Sequence, residues 1–272
     1  MTASTTVTSG LVQTGDVELW VEQRGAGPDV LLIAGLSDPA EAWQFQLDGL
    51  ADRYRVTAFD NRGAGRSPLP PEGFTVAGMA DDTAALLRAL GVPAAHVTGF
   101  SGGSAIAQEL ALRHPDVVCS LVLVSTWARA DVYFRTMMNS WRWLVDAPSE
   151  RAMLEAFLLW IYTPRAHEDG TVEAIIEEAL AFPHPQPAEA FRRQLDAWFA
   201  HDTLDRLTEI TAPTLVVAGE LDIATPPRYG RVVAEHIPGA EFVVLAGEAH
   251  QPFQERPAEF NALVDAFWNK VC

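Results

Sequence analysis

Cysteine is scarce in this chain: 272 residues hold only Cys119 and Cys272. Cys119 stands just before the apolar run Leu121–Val124, which predicts that it is buried, and Cys272 is the last residue. Two cysteines so placed exclude a disulfide framework, and no Cys/His spacing suits a metal, so no metal or cofactor is expected. Positive charge is also in short supply, with 19 Lys and Arg against 36 Asp and Glu and a formal net charge of −17. Phosphate backbones need basic surface, so a nucleic-acid partner is excluded and an anionic membrane surface is disfavoured. No apolar run reaches the roughly 18 residues that span a bilayer. The first ten residues, Met1 to Gly10, are rich in Thr and Ser and lack the basic and apolar regions of a secretion signal. A cytoplasmic protein acting on a small molecule is the expectation. Whether it works as a monomer or a homo-oligomer stays open.

What the chain does have is a large apolar content, 49% against 20% charged, enough for one sizeable core. Short apolar runs alternate with helical patterns through the first half. Asp16–Glu22, Val30–Ala34, Tyr54–Phe59, Val97–Phe100 and Leu121–Val124 read as strands, and Ala80–Leu90 and Ser104–Leu112 as helices. Buried strands separated by helices predict an α/β fold, a mostly parallel twisted sheet flanked by helices. From Trp127 to Arg206 no strand-like run appears. Helical stretches near Val132–Trp143, Glu150–Ile161, Val172–Ala181 and Pro187–Ala200 are divided by prolines, and five of the eight tryptophans fall here. Strands resume at Thr214–Ala218 and Glu241–Leu245, and Pro257–Trp268 reads as the last helix. The expected organisation is a core of residues 1–126 and 207–272 with an inserted all-helical cap at 127–206.

The densest signal is Val97-Thr98-Gly99-Phe100-Ser101-Gly102-Gly103. A strand runs into Gly-x-Ser-x-Gly and a helix follows, the pattern of a tight turn that exposes a nucleophilic serine. Ligands bind beyond the carboxyl ends of parallel strands. Two more candidates stand at such ends: Asp222, in Gly219-Glu220-Leu221-Asp222, and His250, in Gly247-Glu248-Ala249-His250. Ser101 would attack, His250 would carry the proton, and Asp222 would orient the imidazole. His114, His184 and His236 sit in surface-like, proline-flanked contexts. His96 precedes the serine strand at the wrong end, and His167 and His201 fall in the cap. Glu220 is the rival acid, read as a local hydrogen-bonding residue, and Asp60 as part of a structural turn. The oxyanion hole is assigned to the backbone N–H groups of Gly102 and of Leu36, in the loop Ala34-Gly35-Leu36-Ser37.

Taken in order, Ala34-Gly35-Leu36, Asp60-Asn61-Arg62-Gly63-Ala64-Gly65-Arg66-Ser67, the serine turn, Gly219–Asp222 and Gly247–His250 resemble the α/β-hydrolase superfamily over nearly the whole chain. Among its branches the chain looks most like small capped esterases and lactonases, including 3-oxoadipate enol-lactonase-like enzymes and methyl esterases of aromatic polyketides. The resemblance implies a serine hydrolase of carboxylic esters or lactones. Serine at 101, where haloalkane dehalogenases and epoxide hydrolases carry aspartate, argues against those two classes. Carbon–carbon bond hydrolases, non-hydrolytic biosynthetic members and receptor-like members with little turnover share the same three residues. Many relatives have His-Gly where this chain has Ala34-Gly35, so a side-chain brace of the oxyanion loop is missing. Met137, Met138, Trp141, Phe157 and Trp160 are the expected lining of a pocket for a hydrophobic or aromatic substrate. Arg129, Arg135 and Arg142 offer an alternative, binding of a carboxylate.

Overall fold

The computed structural model describes residues 7–72 and 74–271. Eight strands form one sheet in the order β1-β2-β4-β3-β5-β6-β7-β8. They are β1 (Val7–Thr14), β2 (Val17–Gly25), β3 (Asp29–Ile33), β4 (Arg55–Phe59), β5 (Ala95–Phe100), β6 (Val118–Val124), β7 (Thr214–Gly219) and β8 (Glu241–Leu245). The β1–β2 and β2–β4 pairings are antiparallel, and every pairing from β4 across to β8 is parallel. The fold is therefore α/β, with a mostly parallel sheet.

Two apolar layers sandwich the sheet, and strand alternation decides which residue joins which layer. Leu31, Ile33, Val97, Leu121, Leu123 and Val216 belong to one cluster. It takes in α2 (Val76–Ala89), α3 (Gly102–Arg113) and α9 (Pro227–His236). Their neighbours Val30, Leu32, Val122, Val124, Leu215 and Val217 belong to the other, under α1 (Gln44–Leu50) and α11 (Pro257–Val271), with Phe253 of α10 (Pro252–Glu255). Burial on both faces is why these strands read as continuous apolar runs.

Between β6 and β7 the chain is helical: α4 (Val132–Arg142), α5 (Glu150–Leu158), α6 (Pro164–Glu168), α7 (Thr171–Ala181) and α8 (Ala188–Ala200). Three of these start on side-chain caps. Asp131 accepts from Phe134 N at 2.9 Å, Ser149 from Ala152 N at 3.2 Å, and Thr163 from Ala166 N at 3.2 Å with Pro164 at the first helical position. The layer is tied to the sheet edge by polar contacts. His250 N donates to the Ile161 carbonyl at 3.0 Å, and Arg165 pairs with the buried Glu248 at 3.0 Å.

Two sequence expectations need correction. β1 occupies a stretch that overlaps the Thr/Ser-rich N-terminus and had no strand assigned; Met1 to Thr6 lie outside the described residues. Cys119 is exposed, not buried. The β5–β6 pairing shifts register between Ala95 and His96, whose partners are Val118 and Ser120. The bulge skips Cys119 and turns it away from the core. Cys272 lies outside the described residues.

Candidate active site

Because β3, β5, β6, β7 and β8 run parallel, the loops after them meet at one sheet edge. Ser101 follows β5, with φ 50° and ψ −120°, a backbone conformation that costs an ordinary residue about 1–3 kcal/mol. It is held there by its own N–H, which donates to the Val124 carbonyl at 2.9 Å, and by α3, which begins at the next residue. The helix comes very close to the sheet: a Cβ at Gly103 would stand 2.1 Å from the Ile33 carbonyl oxygen. That is the physical reason for the second glycine of the motif. Gly102 is equally confined, since a Cβ there would lie 1.8 Å from the Trp198 ring of α8.

Ser101 Oγ lies 3.0 Å from His250 Nε2, and His250 Nδ1 lies 2.8 Å from Asp222 Oδ2. All three side chains are buried. Asp222 also receives the backbone N–H groups of Ala224 and Thr225, each at 2.8 Å, and Thr225 Oγ1 at 2.8 Å. Burial alone would raise this carboxyl. The charge and hydrogen bond of His250 and the donors of Thr225 outweigh it and hold Asp222 below the ordinary carboxylate value. An ionised Asp222 accepts a hydrogen bond from His250 Nδ1–H, which leaves Nε2 free to accept the Ser101 hydroxyl proton. The ring is fixed further by Ser125 Oγ, which donates to the His250 carbonyl at 2.7 Å.

The loop after β3 faces this relay. Leu36 lines the same cavity as Ser101 and His250. The brace that His would supply at position 34 comes from elsewhere. Asn61 Nδ2 donates to the Ala34 carbonyl at 3.0 Å. Ser37, at φ 63°, donates to Gln186 Oε1 at 2.6 Å, and Gln186 Nε2 reaches Gly63 O at 3.2 Å and Gln194 Oε1 at 2.9 Å. One glutamine between α7 and α8 thus links the loop after β3 to the helical layer.

Most of the rival residues are held by other partners. Glu220 is exposed and accepts the Gly247 N–H at 2.8 Å. Asp60 is buried and accepts the N–H groups of Ala40 at 2.6 Å and Arg66 at 2.7 Å, closing the turn after β4. His96 sits at the amino end of β5 against Ser120 Oγ at 2.8 Å. His114 meets Asp81 Oδ1 at 2.7 Å and His236 the Val232 carbonyl at 2.7 Å; His184 is exposed. His201 is buried beside Trp127, and desolvation pushes its pKa down to about 4. His167 lies on α6. Arg129 pairs with Asp202 and Asp205, Arg135 with the carbonyls of Ala130 and Phe199, and Arg142 with Asp196.

The cavity over Ser101 is lined by Leu36, Asp38, Phe100, Trp141, Phe157, Ile161 and Gln251 with the two catalytic candidates. Its volume is about 10 Å³, room for about one water and far below the usual range of about 300–1,000 Å³ for ligand pockets. Trp141 and Phe157 meet edge to face at 4.7 Å and form its roof. Met137 and Met138 are buried within the apolar cluster and Trp160 packs against it; none of the three lines the cavity. On α4 the buried residues are Phe134, Met137, Met138 and Trp141, and only Trp141 reaches the space above Ser101. A larger hollow lies between α1 and α11, open to solvent and lined by none of the catalytic candidates. The group that sequence reasoning missed is Asp38. It lines the cavity, is half-buried, and its carboxyl is pushed up to about 7 by desolvation, with His250 and the Gly35 backbone pulling the other way.

The α/β-hydrolase-fold family model matches residues 28–161, and a model described as TAP-like protein matches residues 197–270. A protein of Azorhizobium caulinodans named "Putative carbamate hydrolase RutD" is 33% identical over 257 residues, covering 94% of this chain and 97% of its own length. The chain belongs to the α/β-hydrolase family. Among solved structures of the family, the enol-lactonase from Burkholderia xenovorans LB400 superposes with a TM-score of 0.84 at 27% identity, covering 96% of this chain and all of its own (100%). Est816, described as an N-acyl homoserine lactone degrading enzyme, gives 0.81 at 30% identity over 95% of this chain and 100% of its own. Among the described residues no helix is long and apolar enough to cross a membrane.

Proposed function

We propose that the protein is a serine hydrolase that cleaves a carboxylic ester, lactone or carbamate of a small, largely apolar molecule through an acyl-enzyme on Ser101. The observation that carries this reading is the continuous relay from Ser101 Oγ through both nitrogens of His250 to the buried Asp222, opening on a mostly apolar cavity. Ser101 Oγ attacks the carbonyl carbon as its proton passes to His250 Nε2. The oxygen that gains charge faces the N–H groups assigned to Gly102 and Leu36, with the positive end of α3 behind Gly102. His250 then hands its proton to the leaving oxygen. Water, deprotonated by the same nitrogen, releases the acid and restores the serine. Relatives named as carbamate hydrolases and neighbours described as lactone-cleaving enzymes support this range of bonds.

The test is a panel of short aryl esters, aryl carbamates and lactones, with a fluorophosphonate probe to locate the nucleophile. Turnover, together with labelling of Ser101 alone, is expected. A peptide map that puts the adduct on another residue, or no turnover across the panel, overturns the reading.

The roof sets which substrates enter. With a cavity of about 10 Å³, a substrate is admitted only when lining side chains such as Trp141, Phe157 or Ile161 shift. Trp141→Ala is therefore expected to lower KM for bulky acyl groups and to reorder the substrate ranking, while Ser101 labelling stays intact. An unchanged ranking would show that the roof plays no part in selection.

A further inference from the structure

Besides Ser101 and His250, the side-chain polar groups of the cavity are those of Asp38 and Gln251 and the indole N–H of Trp141. Gln251 is already engaged, its Oε1 accepting the Tyr162 hydroxyl at 2.7 Å. Asp38 receives only the backbone of Gly35, two residues past the end of β3. Of the residues that share the cavity with it, Phe100, Phe157 and Ile161 offer no hydrogen bond, and Trp141 offers one indole N–H, which is buried and has no partner among the described residues. A carboxylate placed among such groups is costly unless something supplies the missing donors. No arginine of the helical layer does so, because Arg129, Arg135 and Arg142 are held by other partners.

We propose that Asp38 reads the acyl side of the substrate, its carboxylate accepting a hydrogen bond from an N–H attached to the scissile carbonyl, so that the site favours carbamates over the matching alkyl esters. The inference rests on the hydrolase reading and narrows it. The space is small enough that any group touching Asp38 stands within a few atoms of the carbonyl attacked by Ser101. A neutral donor suits the site better than a cation, because His250 becomes an imidazolium in the same cavity during the reaction. The titratable groups that face Asp38 are His250, whose charge pulls its pKa down, and Tyr162, whose hydroxyl is itself pushed well up by burial and by the Asp38 charge. Tyr162 stays neutral and adds no charge beside Asp38. Asp38, with its pKa near 7, offers its full acceptor capacity only above neutral pH.

Phenyl carbamate and phenyl acetate form a suitable pair, since NH₂ replaces CH₃ on the same carbonyl. Their dissociation constants are measured on Ser101→Ala, which binds without turning over. The carbamate is expected to bind about 10- to 100-fold tighter at pH 8, the range of a hydrogen bond to a charged group. The preference should fade as pH falls from 8 to 6. Adding Asp38→Leu should abolish the preference. Adding Asp38→Asn, which keeps a carbonyl acceptor, should retain part of it and remove its pH dependence. Equal binding of the two probes, no binding of either, loss of both in parallel with Asp38→Leu, or a pH dependence that survives Asp38→Asn overturns the proposal. Selective carbamate binding by Ser101→Ala combined with an enzyme that hydrolyses nothing would sink the hydrolase reading and leave the role of Asp38 standing.

Discussion

Ser101→Ala is expected to lower kcat by at least about 10³-fold on whichever ester, lactone or carbamate the wild-type protein turns over best. The size follows from how completely the structure commits to this one hydroxyl. The chain holds a non-glycine residue at φ 50° to place it, brings α3 within contact of β3, and aligns the hydroxyl at 3.0 Å from a base with one free nitrogen. Alanine fits the same backbone, so the variant should fold and bind, and the loss should appear in kcat with KM little changed. Steady-state kinetics on the best substrate of the panel check this. A residual rate within tenfold of wild type would mean that His250 and Asp222 act directly on a bound substrate, as in a non-hydrolytic member of the family.

The parts of the fold that could be read from the sequence are those whose physics is local. β5 and β6 are buried on both faces, so their apolar runs are unbroken and their positions were evident. α4 begins on Asp131 and α5 on Ser149, and those caps put their starts within a residue of expectation. β1 was invisible for the opposite reason. It is an edge strand, paired on one side only with β2, and its residues Thr8, Ser9 and Gly10 carry no apolar run. α1 and α9 also had no helix assigned to them.

The same contrast separates the residues of the site. Ser101, Asp222 and His250 could be picked out because each follows a strand and sits in a recognisable turn, and a parallel sheet must bring such ends together. Asp38 could not be. Its neighbours Trp141, Phe157 and Ile161 are more than a hundred residues away in sequence, and its burial exists only once they fold over the loop after β3. The lining of the cavity was misjudged for a related reason. Helical spacing on α4 identifies one buried stripe, Phe134, Met137, Met138 and Trp141, but gives no way to know which end of the stripe overhangs Ser101. Met137 and Met138 fill the apolar cluster instead.

Replacing Asp222 with Asn should cost up to about 10⁴ in kcat, whereas Glu220→Gln should leave the rate within a few-fold of wild type. The two acids are two residues apart and both follow β7, yet their surroundings differ in kind. Asp222 is buried, touches His250 Nδ1 at 2.8 Å and collects three further donors. Glu220 is exposed and holds the N–H of Gly247, a contact that the amide oxygen of glutamine can keep. In Asp222→Asn the side-chain amide can turn its NH₂ toward His250 Nδ1. The imidazole proton then moves to Nε2, the nitrogen that must accept from Ser101, and the imidazolium loses its counter-charge. The pH profile separates this from a structural defect. Asp222 is held below the ordinary carboxylate value, so it stays ionised as pH falls from neutral, and its contribution to native stability is present above the unfolded value near 3.8 and lost only as pH drops through the lower folded one. An acid limb of kcat/KM near neutrality would therefore not come from Asp222 in the wild type. Glu220→Gln should reproduce that limb unchanged. Should Glu220→Gln prove the crippling substitution and Asp222→Asn the mild one, the acid partner of His250 would have to be reassigned to Glu220.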